Sequence, residues 1–174
     1  MVKDTSESGP IARWLSADHV RLAELLDHAT AGVDVIDPAP YAEFRSGLLR
    51  HIAVEEKILL TAAQRAAHGT PLALASRLRL DHGAIAALLV PTPTATIIAT
   101  LREILAAHNE LEEAPDGLYA TCDRLLAAEA ADVVTRMVTY PEPRLNPHND
   151  APEVMPAVER ALDRAGYRLR DIGS

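Results

Sequence analysis

Two copies of the pattern His-x-x-x-Glu-Glu constrain this chain more than any other feature of its sequence. The first begins at His51 and the second at His108. Four residues turn an α-helix by about 400°, so each His lies one turn before a Glu, Glu55 or Glu112, on the same face. These faces also carry the apolar residues of their segments. A carboxylate on such a stripe costs free energy unless its charge is compensated. Two such carboxylates, each beside an imidazole, indicate a metal site.

Neither copy is strong evidence by itself. A chain with seven His among 174 residues, and many Glu, contains roughly half a His-x-x-x-Glu pattern by chance. Whether the two copies mark a metal site therefore depends on further evidence. That evidence is the apolar faces that carry both copies and the residues on the other segments.

The composition favours a helical protein without a nucleic-acid or membrane partner. Apolar residues make up 48% of the chain and aromatic residues only 3%, a balance typical of helices. The net charge of −8 argues against nucleic acid. The single cysteine, Cys122, suits a reducing compartment. The N-terminus lacks the apolar core of a signal peptide, and no apolar run reaches the length of a membrane span. We therefore expect a cytoplasmic protein.

The apolar spacing predicts four long helices, separated by Pro- and Gly-containing turns. The first three cover roughly residues 10–30, 39–67 and 71–90, and the fourth begins between residues 93 and 96 and ends near 113. Their short connections favour an all-α, up-down-up-down four-helix bundle.

The remaining segments are assigned around this bundle. A further helical stretch over 117–138 completes a bundle domain that spans residues 10–138. Residues 1–9 are polar and expected to be disordered. Residues 139–174 are expected to form a proline-rich arm and a short helix, roughly 152–165, packed on the bundle as an appendage.

Each of the four long helices carries one His on its apolar stripe, and the second and fourth also carry a Glu. These six residues are His19, His51, Glu55, His82, His108 and Glu112. The pattern resembles that of the haemerythrin-like, or HHE cation-binding, domain family, over roughly residues 10–130. Six metal-type side chains in the family's order are a far more specific signal than either motif alone.

The resemblance implies a bundle that holds a non-haem di-iron centre. In this family, four His bind two irons in pairs, and two Glu bridge them beside an oxo or hydroxo group. The implied ligands are His19 with His51 for one iron, His82 with His108 for the other, and Glu55 and Glu112 as the bridges. Imidazole and carboxylate suit iron. A chain without thiolate ligands gives little support to a structural zinc or an iron–sulfur site.

The sequence departs from the oxygen-carrying haemerythrins in two places. Those proteins have a further His four residues away on the third helix, where this chain has Leu78 and Ala86. Their fourth helix carries His-x-x-x-x-Asp, whereas this chain has His108 and Glu112 at the shorter spacing. Both departures argue against reversible oxygen carriage.

Four acidic residues next to the motifs are open to interpretation. Glu56 and Glu113 lie 100° round the helix from the ligand carboxylates. They are either exposed or hydrogen-bond partners of ligand imidazoles. Asp18 and Asp81 precede ligand His residues and are expected to point elsewhere, into solvent.

Tyr119 is the most ambiguous residue near the site. It lies seven residues after Glu112, nominally on the same face, although Pro115 interrupts the register. It either packs in the core or lies near the irons as a ligand or a redox gate. Tyr140 and Tyr167 are weaker candidates for the same role, through a folded-back tail.

Two classes of function fit this site. An enzyme-like centre would react with hydrogen peroxide, nitric oxide or dioxygen in defence against oxidative or nitrosative stress, as a catalase-like or nitric-oxide-processing oxidoreductase. A binding module would instead sense or store iron or oxygen without turnover. A sensor usually has an output domain, which the segment after the bundle is too short to form, so the first class is favoured. The expected partner is a diatomic molecule or a peroxide, and the sequence leaves any protein partner unknown.

Overall fold

All regular secondary structure of the described chain is helical, as predicted. The computed structural model describes residues 8–32 and 35–171. Most of the N-terminal segment expected to be disordered, residues 1–7, lies outside these ranges. The helices are α1 (Pro10–Ala29), α2 (Pro38–Val54), α3 (Leu60–Ala66), α4 (Ala75–Leu88), α5 (Ala95–Glu113), α6 (Leu118–Leu125), α7 (Ala130–Val138) and α8 (Val154–Ala165), and a π-turn over Glu55–Leu59 joins α2 to α3.

Local sequence signals set several of the helix ends. Pro10 stands in the first turn of α1, where its missing N–H costs nothing. Asp37 caps α2 by accepting from the N–H of Ala39, and Thr94 caps α5. Gly166 ends α8 with φ of 82°, a left-handed conformation that a residue with Cβ adopts only at a cost.

The structure differs from the predicted helices in three places. The segment predicted as one helix over 39–67 contains the π-turn. The stretch predicted as helical over 117–138 is divided into α6 and α7 by a turn at 126–129, where the N–H of Glu129 bonds to the carbonyl of Leu126. No Pro or Gly marks that turn, so apolar spacing alone could not reveal it. Helix α4 begins at Ala75 instead of residue 71.

Two apolar clusters form the core, and the predicted site lies between them along the helices. In α1, Ile11 and Leu15 belong to one cluster, Leu22 and Leu26 belong to the other, and His19 lies between them. Helix α1 packs on α2, and α4 packs on α5. The site residues therefore occupy a polar layer that both apolar clusters shield from water.

The C-terminal segment packs against these helices. Helix α8 lies on α4, and its Val158 and Leu162 join one apolar cluster. The guanidinium of Arg45 donates to the carbonyls of Leu89 and Asn146 and so ties the proline-rich segment to α2. The division into a domain of residues 10–138 and an appendage stays a prediction.

No helix of the described ranges is both long enough and apolar enough to cross a membrane.

Candidate metal centre

The six side chains predicted as metal ligands meet in the polar layer between the two apolar clusters. All six are buried, and the two Glu side chains are inaccessible to solvent. They form two groups of four that could each hold a metal ion, and both groups contain Glu55 and Glu112. One group adds His19 and His51, and the other adds His82 and His108. Their role as ligands stays a prediction.

The four imidazoles face each other in two pairs through their Nε2 atoms. In the first His pair, His19 Nε2 lies 3.0 Å from His51 Nε2. In the second His pair, His82 Nε2 lies 3.2 Å from His108 Nε2. Two ring nitrogens with lone pairs at this distance repel each other unless a proton or a metal cation lies between them.

The two carboxylates span the His pairs. Glu55 Oε1 lies 3.3 Å from His51 Nε2, and its Oε2 lies 3.2 Å from His82 Nε2. Glu112 repeats this arrangement, with Oε1 at 3.2 Å from one Nε2 of the second pair and Oε2 at 3.5 Å from one Nε2 of the first. Each carboxylate therefore offers one oxygen to each group, as a bridging ligand does.

The Nδ1 atom of each of the four imidazoles contacts a carboxylate oxygen. An ionised carboxylate only accepts hydrogen bonds, so Nδ1 is the donor and Nε2 is left for a ligand role. The four contacts are His19 to Glu113 at 2.7 Å, His51 to Asp18 at 2.9 Å, His82 to Glu56 at 2.8 Å and His108 to Asp81 at 3.4 Å.

These contacts show where the four acidic residues next to the motifs point. Asp18 and Asp81 were expected to point into solvent, but each bonds to the His of the following long helix, and Asp81 is fully buried. A residue 100° away from a His on one helix can face the adjacent helix, a placement that a single-helix projection does not reveal. Of the two interpretations given for Glu56 and Glu113, the structure supports the second, because both are hydrogen-bond partners of imidazoles.

The electrostatics of the site attract positive charge. Burial opposes an imidazolium at His51, but the charge of Glu55 and the hydrogen bond to Asp18 outweigh it and raise its pKa to about 10. At His108, burial is likewise outweighed by Asp81 and Glu112, which raise its pKa to about 10. Although burial opposes it, nearby imidazoles hold the pKa of Glu55 well below its usual range. Without metal ions, protonated His51 and His108 supply positive charge beside the carboxylates.

Two carboxylate oxygens at the centre lack hydrogen bonds. Glu55 Oε2 and Glu112 Oε1 are buried, and neither accepts a hydrogen bond from the described residues, although each lies 3.2 Å from an Nε2. An unsatisfied buried acceptor costs free energy. A cation between the carboxylates and the imidazoles would satisfy these oxygens, so the donor set fits a pair of metal ions.

Tyr119 reaches the centre and is not a simple core residue. Its buried hydroxyl lies 2.6 Å from Glu55 Oε1 and 2.9 Å from Glu112 Oε2. It also lies 3.1 Å from His19 Nε2, so the phenol is on the side of the first His pair. Burial and the two carboxylate charges raise the pKa of Tyr119 well above its usual value, which makes the phenol a neutral donor.

Gly117 allows Tyr119 to turn back over Glu112. A Cβ at Gly117 would lie 2.6 Å from the carbonyl oxygens of Leu111 and Glu112, so no larger residue fits between α5 and α6. Tyr140 and Tyr167 do not reach the centre. They pack against the cations of Lys57 and Arg77.

The π-turn begins at Glu55, one of the two carboxylates shared by both groups. The N–H of Leu60 bonds to the carbonyl of Glu55, five residues earlier. Single π-turns within α-helices occur frequently at functional sites. Here the turn includes Glu55, which faces the centre, and Glu56, which bonds to His82.

Comparison with known proteins finds no match to this chain among family models, curated proteins or solved structures. The haemerythrin-like resemblance therefore depends on the residue pattern, and the structure adds an all-helical fold with two buried His/Glu groups that could hold metal ions.

Proposed function

We propose that this protein is a haemerythrin-like four-helix bundle, built from α1, α2, α4 and α5, that holds two iron ions bridged by Glu55 and Glu112. The observation that supports this most is the pairing of Nε2 atoms at 3.0 and 3.2 Å around two shared, fully buried carboxylates. Without cations, this arrangement places lone pairs and negative charges against each other.

The residues of the chain would hold the ions and keep the site preorganised. The Nδ1 contacts fix the ring orientation of each imidazole and strengthen it as a ligand. Tyr119 donates a hydrogen bond to Glu55 or Glu112 and so orients a bridging carboxylate. Bound iron would supply Lewis-acid and redox chemistry toward small oxygen or nitrogen species.

We propose that the centre degrades hydrogen peroxide or captures nitric oxide and does not carry oxygen reversibly. Four His and two Glu leave each ion short of six protein donors. The positions where oxygen carriers place an additional His hold Leu78, which is fully buried in an apolar cluster, and Ala86. The remaining positions would let a small molecule contact the ions. Tyr119, whose hydroxyl lies 3.1 Å from His19 Nε2, could fill one of them.

Turnover by iron-loaded protein tests this function. Purified protein is mixed separately with hydrogen peroxide and with nitric oxide, and consumption is followed against Glu112→Ala as the metal-deficient control. We expect consumption of at least one of the two, which is lost in the variant. Two bound irons without either reaction would instead assign the protein to the alternative class, iron or oxygen sensing or storage without turnover. A stable, reversible oxygen adduct would also contradict the proposal.

A further inference from the structure

A cavity of about 240 Å³ lies among α1, α2, α4 and α5, directly beside the candidate metal centre. Its walls are mainly apolar, and part of its inner surface is formed by His19, His51 and His108. The apolar wall residues include Leu22, Leu26, Phe44, Leu48, Ile85 and Leu105.

The outer rim of the cavity lies on α1 and α5. Exposed Ala23 and Ala106 contribute small side chains there. Arg102, also on the rim, is held by Asp27 at 2.7 Å and by the hydroxyl of Thr30 at 2.9 Å. Its charge is therefore compensated at the surface, and the small alanines leave room for a ligand to enter.

One polar atom of a residue that lines the cavity has no hydrogen-bond partner among the described residues. Asn109 lines the cavity, and its buried Oδ1 accepts no hydrogen bond from any residue in the described ranges. A buried acceptor in this condition costs free energy. A ligand whose N–H or O–H group reaches this oxygen would remove that cost.

We propose that this cavity binds a neutral, mainly apolar organic molecule of about benzene to indole size, which donates one hydrogen bond to Asn109 Oδ1. Apolar cavities of about 150 Å³ bind benzene, and a water molecule occupies about 30 Å³ of liquid. The present volume of about 240 Å³ therefore exceeds what a diatomic gas fills and matches a small aromatic ring system. The apolar walls disfavour an ion, whose desolvation they would not compensate.

This ligand site does not rest on the identity of the metal. Its walls are side chains of the bundle, so the metal-free protein has it too. If the proposed iron centre is present, the ligand would lie next to it as a co-substrate or an effector.

Calorimetric titration with indole and with indene tests the proposal. The two molecules have nearly the same shape, but only indole has an N–H donor. Both are titrated into the full chain, as purified and after metal removal. We expect indole to bind one site per chain in both forms, about fivefold more tightly than indene, which is the effect of one hydrogen bond.

Two substitutions at neighbouring positions of α5 locate the site. Ala106→Phe places a ring in the rim, whereas Ala107→Phe places the same ring on an exposed position outside the lining. Ala106→Phe should weaken indole at least about tenfold, and Ala107→Phe should leave it within about twofold. Asn109→Ala should weaken indole to the affinity of indene and leave indene unchanged.

Several outcomes would overturn the proposal. They are no indole binding to the wild type, equal loss in both Phe variants, and equal affinities of indole and indene for the wild type. Iron retained with no indole binding would reject the ligand site alone, and indole binding to a chain that takes up no iron when produced with ample iron would reject the iron proposal alone.

Discussion

Glu112 belongs to both groups of potential ligands, whereas His82 belongs to one. Glu112→Ala should therefore release both metal ions, because a shared carboxylate is lost from each. His82→Ala should release about one ion, because the group of His19 and His51 keeps its members. Metal content per chain, measured by elemental analysis after identical purification, distinguishes these results.

Glu110→Ala is the matched control for the first variant. Glu110 lies on the same helix two residues earlier and is exposed, so this variant should keep the metal content of the wild type. Equal metal loss in Glu112→Ala and His82→Ala, or loss in Glu110→Ala, would contradict the shared role of the carboxylate.

The hydroxyl of Tyr119 is a hydrogen-bond donor between the two buried carboxylates. In metal-free protein, Tyr119→Phe should lower the free energy of unfolding by about 1–3 kcal/mol, because a buried carboxylate loses its donor. Urea denaturation measures this change.

Tyr140→Phe serves as the control for this substitution, because Tyr140 packs against Lys57 away from the centre. It should change the unfolding free energy by less than about 0.5 kcal/mol. Equal effects of the two variants would contradict a stabilising role of the Tyr119 hydroxyl.

Four helices are linked in a closed ring by the carboxylate contacts at Nδ1. Each contact joins two different segments, so the charges that orient the imidazoles also connect the helices. The contacts are Asp18 of α1 to His51 of α2, Glu56 of the π-turn to His82 of α4, Asp81 of α4 to His108 of α5, and Glu113 of α5 to His19 of α1.

Breaking one link of this ring should weaken metal binding without abolishing the fold. Glu56→Gln keeps a hydrogen-bond acceptor for His82 but removes the negative charge. We expect an affinity for metal about 10–100-fold lower, the usual effect of such outer partners, measured by competition with a chelator. Glu110→Gln, on an exposed position of α5, should leave the affinity unchanged, and equal affinities in both variants would contradict the role of Glu56.

The sequence predicted helices α1 and α5 to within a few residues, because apolar spacing covers their lengths. The meeting of the six candidate ligands also followed from their stripes. The partners Asp18 and Asp81 could not be assigned in this way, because their contacts depend on the separation and rotation of adjacent helices. The π-turn at Glu55 has no signal in residue type or spacing.

The whole molecule places its polar centre between two apolar clusters, so metal binding and folding should be coupled. A metal that binds the native state alone stabilises it by mass action. Removing metal with a chelator should lower the melting temperature by about 5–10 °C, for free metal near 100 times its dissociation constant. Differential scanning calorimetry measures this shift, and an unchanged melting temperature would contradict the coupling.

The metal content of the wild-type protein tests the central claim most directly. The full chain is produced with ample iron, purified without chelators, and its metal is quantified per chain by elemental analysis. Two shared carboxylates between two pairs of imidazoles predict two irons per chain. One metal per chain, or tightly held zinc alone, would contradict the account.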